Sequence, residues 1–227
     1  VPGVEFGYDG FCIDGRFPSH SLWGYEVKAQ GFIGKVVDQS TLPAPIRLIN
    51  ERLSPAMKRL RYRGFFSSEI RMGKDQVPYL IDPCSRMPSP PGEVVMELYE
   101  NLAEILWAGA DGEMVEPQMT GRYAAEVLLS SEWAKTNFLE VRCPDEMRNY
   151  VKLYSPTKIG ESVYVVPQLK TSEIGAVIAI EDTMDQAIAV CKQRAEQVKG
   201  YQLHASTESL DKAVECIQEG QLMGVPW

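Results

Sequence analysis

The chain has 227 residues, 44% of them hydrophobic and 24% charged, a globular composition with enough apolar material to bury a core and no bias towards disorder. The length predicts one large domain or two small ones. Lys and Arg total 23 against 31 Asp and Glu, a net charge of −8, which argues against wrapping nucleic acid, where phosphate neutralisation dominates affinity, yet leaves room for a small phosphorylated ligand held by two or three local cations.

The chain opens on Val1-Pro2-Gly3 without a methionine, which reads as a processed or excised product. Val4–Ile13 is rich in aromatic and β-branched residues and ends at Asp14-Gly15, a hairpin signal. Phe17 and Trp23–Lys28 continue the meander, and Pro43 and Pro45 punctuate it. A helix is expected over Pro45–Arg61, where Ile46, Ile49, Leu53, Met57 and Leu60 form one stripe; Pro55 implies a kink or two short helices. Two strands follow, Gly64–Met72 and Val77–Asp82, joined by a turn at Gly73–Gln76. One helix is expected over Glu93–Ala108, closed by Asp111-Gly112.

In the second half, Arg122–Trp133 fits a helix or a strand equally. Phe138–Arg142, Val163–Val166 and Ile174–Ile180 read as strands. The last of these contains the longest apolar run, Ala176–Ile180, far short of the ~18 residues of a membrane helix, so no membrane partner is expected. Thr183-Met184-Asp185-Gln186 matches a capping box ahead of a helix that buries Ala187, Ile188, Cys191, Ala195 and Val198. A last helix is expected over Glu208–Glu219, stopped by Gly220. The fold class is therefore α+β: an antiparallel sheet with packed helices over 1–112, then a smaller α/β unit over 113–227 that ends in two helices.

Five cysteines, at 12, 84, 143, 191 and 216, form no CxxC. That argues against a disulfide framework or a zinc site and for a reducing, cytoplasmic setting. His20 and His204, the only histidines, read as exposed and leave almost no material for a Ser-His-Asp or Cys-His device.

Chemistry concentrates in Tyr62–Arg71 and Pro78–Arg86. A hairpin centred on the turn sets Glu69 opposite Asp82, and facing carboxylates repel unless a cation neutralises them. Oxygen-only ligation suits Mg²⁺, completed by phosphate oxygens. Arg71 and Arg86 add positive charge to the same face, as a phosphate site requires. The same residues also fit a solvated strand face whose ion pairs are worth ~0–1 kcal/mol.

These windows resemble the C-terminal half of the ATP-grasp ligases, in which an acid on one strand and an acid-x-Asn-x-Arg on the next bind magnesium and phosphate. The resemblance implies that Glu69 and Asp82 hold Mg²⁺ on ATP and that Arg86 faces the transferring phosphoryl group. Two positions depart from the pattern: Cys84 stands where Asn is usual, and Ser67 where an Arg often precedes the first acid. Gly3-Val4-Glu5-Phe6-Gly7 resembles the family's Gly-x-Glu strand. Trp23–Lys28 resembles the strand over the phosphates, which makes Lys28 a phosphate contact, although a solvated strand lysine reads the same way. Tyr123–Leu129 and the strand and helix over 174–187 are similar to the C-terminal domain of the phosphoribosylamine–glycine ligase and biotin-carboxylase branches.

By that resemblance the glycine-rich lid, the adenine-side lysines and the hinge acid would precede Val1. The implied activity is ATP-dependent carboxylate–amine ligation through an acylphosphate. Its partners would be ATP, a small carboxylate and amine, and an N-terminal half of the same protein; homo-oligomerisation stays open. The alternative is a non-catalytic interaction or regulatory domain that kept the fold.

Overall fold

The computed structural model describes residues 2–227; Val1, the start noted above, lies outside them. In chain order the strands are β1 (Gly3–Ile13), β2 (His20–Val27), β3 (Gly31–Asp38), β4 (Arg63–Gly73), β5 (Pro78–Cys84), β6 (Tyr123–Ser130), β7 (Leu139–Val141), β8 (Val151–Leu153), β9 (Pro156–Ile159), β10 (Ser162–Val165), β11 (Glu173–Glu181) and β12 (His204–Ala205). The helices are α1 (Ala44–Leu60), α2 (Gly92–Leu98), α3 (Leu102–Asp111), α4 (Met184–Gln197) and α5 (Glu208–Leu222). Nine strands form one antiparallel sheet in the order β5-β4-β1-β2-β3-β6-β11-β8, with β12 on the end of β6; β7, β10 and β9 make a second, three-stranded sheet. The α+β class expected from the sequence is met. The large sheet runs continuously across residue 112, because β3 pairs with β6 from Gly31↔Val127 to Lys35↔Tyr123.

The sheet's two faces are covered unequally. On one, α1 and α5 pack over Phe6, Tyr8, Trp23, Tyr25 and Ile33, and α4 packs over β6 and β11. On the other, α2 and α3 lie over a smaller core that includes Phe11, Leu22, Phe32 and Ile178. These short helices leave the part of that face near β4, β1 and β2 open to solvent.

Local chemistry explains most elements. Asp14 and Gly15 both take positive φ, 51° and 82°, as a tight hairpin turn between right-twisted strands requires. Pro55 sits inside α1 without splitting it, and the helix ends on a left-handed Arg61. Leu60, assigned above to the buried stripe, is 72% exposed because it lies in the last turn, past the sheet edge. Half of the expected capping box forms: the Gln186 amide donates to Thr183 Oγ1 at 3.3 Å, while Gln186 Oε1 takes the Thr183 hydroxyl at 2.9 Å in place of the reciprocal amide bond.

Four expectations change. Arg122–Trp133 resolves as a strand, β6, buried on both faces of the sheet. Strand β3 lies within the first forty residues, which read as strands and turns, but no strand was placed at 31–38. The single helix over Glu93–Ala108 is two, α2 and α3, because the chain breaks at Tyr99 to bridge Met119, with the Glu100 amide on Gln118 O at 2.9 Å. Helix α5 runs through Gly220 to Leu222. Gly220 serves contact instead of termination: a Cβ there would stand 2.0 Å from the buried Tyr25 hydroxyl. Trp227 packs on Trp23 and Tyr25 at centroid distances of 4.9 and 5.6 Å, which ties the chain end to this face.

Candidate functional site

The open part of the sheet is a shallow cleft, walled by the Pro88-Ser89-Pro90 segment ahead of α2. Alternation along β1 turns Glu5, Gly7 and Asp9 towards it. Gly7 pairs with Gly24 on β2 and with Glu69 on β4, so two glycines bare the floor between acidic neighbours. A side chain at Gly24 would collide with Ile33 O and the Phe32 ring, at 2.2 and 2.6 Å. The sheet packing itself therefore demands that bare floor.

The hairpin β4–β5 has the expected register: Glu69 lies opposite Asp82, and Ser67 opposite Cys84. The ladder shifts between Glu69 and Ile70, so that Ile70 faces Leu80, and this bulge re-aims the acids at the cleft end of the hairpin. Glu69, Asp82, Cys84 and Arg86 all line the cleft. Arg86 is exposed at its rim, with Nη1 donating to Met87 O at 2.9 Å. Cys84 Sγ reaches Arg86 O at 3.9 Å and contributes no hard donor.

Lys28 and Arg71 are committed to carboxylates. The Lys28 ammonium lies 2.5 Å from Glu69 Oε1 and 3.2 Å from both Glu5 Oε1 and Glu26 Oε2. Arg71 Nη2 pairs with Glu5 Oε2. Burial works against ionisation of Glu5, but the Arg71 and Lys28 charges outweigh it and hold its carboxyl below the usual range. Burial also opposes the charge on Lys28, and Glu69 and then Glu26 more than reverse that and push its pKa up. Glu26, more deeply placed, is shifted up by burial despite Lys28.

Three acids here were not singled out in the sequence: Asp9, Glu26 and Glu126. Asp9 is 5% exposed, has no hydrogen-bond donor against it among the described residues, and lines the cleft. Burial, then the charges of Glu26 and Glu69, push its pKa well above the ordinary value. Glu126 lies deeper on the same face of β6, in register between Phe32 and Ile178. It is fully buried, with neither oxygen bonded to a donor, and faces Glu93 of α2, whose Oε2 is also without one. Two acceptors in contact are satisfied only if a proton lies between them, and burial and then Glu93 drive the Glu126 pKa well upward. The pattern Glu5-x-Gly7-x-Asp9 was available in the sequence as a same-face signal; the Glu93–Glu126 contact, between distant segments, was not.

The donor set suits a hard divalent cation. Glu69 and Asp82 face one another across a ladder and offer only oxygen, and the buried, unpartnered Asp9 adds negative potential behind them. Among the described residues no three His, Cys, Asp or Glu side chains converge as a ready-made metal centre.

No protein-family model matches the chain, and no curated protein matches it in sequence. Solved structures do match. Phosphoribosylamine–glycine ligase from Thermotoga maritima aligns with a TM-score of 0.71 at 17% identity over 90% of this chain and 55% of that one. Biotin carboxylase from Campylobacter jejuni gives 0.60 at 16% identity, over 95% and 50% of the two chains. L-amino acid ligase from Bacillus licheniformis gives 0.53 at 14%, over 88% and 52%. The chain thus spans about half the length of these structures. All three are ATP-grasp proteins, and the expected likeness to that superfamily is met as a likeness of fold.

Proposed function

We propose that this chain forms the magnesium- and phosphate-binding side of an ATP-dependent carboxylate–amine ligase, similar to phosphoribosylamine–glycine ligase. The observation that carries the reading is the cross-strand pairing of Glu69 with Asp82, with Arg86 at the mouth of the same glycine-floored cleft. A cleft with this many carboxylates repels a bare triphosphate, so a divalent cation has to accompany it. Glu69 and Asp82 would hold Mg²⁺, which when bound neutralises phosphate charge and orients the transferred group.

The side chains divide the remaining work. Arg86 lies at the rim with, among the described residues, a backbone carbonyl as its one guanidinium partner, and can turn onto the γ-phosphoryl group and stabilise charge during transfer. Lys28 and Arg71 supply positive charge at the phosphate end, and their carboxylate partners hold them there until a ligand competes. The bare floor at Gly7 and Gly24 lets a nucleotide lie flat against the sheet. The chemistry we assign is attack of a substrate carboxylate on the γ-phosphorus with release of ADP, then displacement of phosphate from the acylphosphate by an amine. ATP, the small carboxylate and amine, and a further half of the same protein that carries the adenine pocket are the partners of this reading. The five cysteines, all free, suit a cytoplasmic setting. In the described residues no helix is long and apolar enough to cross a membrane.

One observation favours a second reading. Cys84 stands where a hard ligand is expected, and Lys28 already neutralises Glu69, so a non-catalytic domain that retained the fold is the alternative. The experiment separates them. In the full-length protein, Glu69→Gln is expected to abolish Mg²⁺-dependent ATP binding and lower ATP-dependent ADP release at least a hundredfold. Unchanged binding and turnover would remove the site assignment, and no Mg²⁺-dependent ATP binding by the wild type would favour the non-catalytic reading.

A further inference from the structure

The Lys28 ammonium sits among Glu5, Glu26 and Glu69, carboxylates from three adjacent strands or their ends. Clustered acids alone would be a surface feature. A second observation points to a ligand: Asp9, 5% exposed and without a hydrogen-bond partner among the described residues, lines the same cleft, and Gly7 leaves its Oδ2 uncovered, 3.7 Å from where a Cβ would stand. The cluster thus holds one more buried carboxyl than its resident cation reaches. Lys28 is itself 55% exposed, so its stem is free to swing outward.

We infer that Lys28 is a tethered counter-ion that occupies a cation position between Glu5, Glu26 and Glu69, and that a divalent cation and the Lys28 ammonium exclude one another there. The distances explain the exclusion. Oxygens at 2.5–3.2 Å suit an ammonium, whereas a small divalent ion draws its oxygens to about 2.0–2.1 Å. While Lys28 is seated, the carboxylates are held apart and form no metal centre, in keeping with the absence of one among the described residues. When Lys28 leaves, Glu26 and Glu69 lose their counter-charge while Glu5 keeps Arg71, and closing on a divalent ion relieves the repulsion. The inference rests on the proposed Mg²⁺–nucleotide reading in one respect: the phosphates are what would draw Lys28 out, so that the cleft takes up metal and nucleotide together and not metal alone.

The test is direct cation binding to the full-length protein without nucleotide, by Mn²⁺ titration calorimetry and the EPR signal of free Mn²⁺. Lys28→Met is expected to bind Mn²⁺ at least tenfold more tightly than wild type, and adding Glu5→Gln and Glu26→Gln to that variant is expected to remove the gain. Equal Mn²⁺ affinity of wild type and Lys28→Met overturns the inference, as does a gain that survives loss of both glutamates. Should Lys28→Met fold poorly, Lys28→Gln keeps a hydrogen-bonding side chain, and its melting temperature should rise with Mn²⁺ more than that of wild type. An equal rise in both proteins refutes the exchange. The nucleotide reading fails separately: if wild type binds no Mg²⁺–ATP while Lys28→Met gains Mn²⁺, the counter-ion role stands and the ligase proposal falls.

Discussion

Replacing Glu126 by glutamine is the sharpest test of the electrostatics inside the fold. Glu126 is fully buried on β6, between Phe32 and Ile178, and among the described residues neither of its oxygens has a hydrogen-bond partner. Its pKa is raised well above the ordinary carboxylate value by burial and then by Glu93. The native state therefore keeps a proton that the unfolded chain releases above about pH 4.3. Between that pH and the raised native pKa the folded protein binds more protons than the unfolded one. Stability then falls as pH rises, by about 1.4 kcal/mol per pH unit for each retained proton, and levels off above the native pKa. Glu126→Gln removes the titration while keeping the shape, and its amide can donate to Glu93 Oε2. Urea unfolding at pH 5, 6, 7 and 8 should give a stability difference, variant minus wild type, that grows with pH at close to that slope over part of the range. At about 2–4 °C per kcal/mol for a domain of this size, melting curves should separate visibly. A difference that does not change with pH would refute the shared-proton account; so would a variant that is less stable at every pH with an unchanged slope.

Two further outcomes test the packing. Gly220→Ala puts a methyl group 2.0 Å from the hydroxyl of Tyr25, a ring that is 0% exposed and wedged against Phe6, Trp23 and Trp227; overpacking of this kind should cost about 1–3 kcal/mol, and a neutral result in chemical denaturation would mean that α5 can slide. Thr183→Ala removes the acceptor of the Gln186 amide at the start of α4 and should cost about 1 kcal/mol, whereas Thr183→Ser should restore most of it in the same assay.

The parts of the fold that follow local rules were readable. The hairpin β4–β5 is one: a short turn at Gly73–Gln76 joins the strands and Glu69 meets Asp82, although beside the turn Met72 faces Pro78, a register that alone would set Glu69 against Ile81, and the bulge restores the pairing. The bulge after Glu69 was not readable, because nothing in the alternation marks the extra residue at Ile81. Strand β3 escaped because Gly31 and Gly34 depress strand propensity. Both glycines are demanded from outside the strand: a Cβ on Gly31 would meet Ser209 Oγ at 2.2 Å, and one on Gly34 the Phe32 ring at 2.4 Å. The break between α2 and α3 escaped for the opposite reason. Val94, Leu98 and Ile105 are all buried, and the apolar spacing continues across Tyr99 as if the helix did. Only the returning segment at Gln118 and Met119 shows why the chain must open there.

The site was legible in its charged hairpin and illegible in its extent. Glu5, Asp9, Glu26, Glu69 and Glu126 come from four segments that meet only through the strand order β4-β1-β2-β3-β6, which no window of sequence contains. Once they are assembled, one physical rule sorts them. Where a cation reaches, the carboxylate stays charged, as for Glu5 between Arg71 and Lys28. Where none reaches, burial wins and the acid is driven towards its neutral form, as for Asp9 and Glu126. Glu26 lies between these limits, with Lys28 beside it and burial still the larger influence. Lys28 thus decides how much negative charge the cleft presents. On the proposed reading, a ligand that draws this one side chain away would bring or recruit a replacement cation, which would link phosphate binding to metal binding without any movement of the sheet.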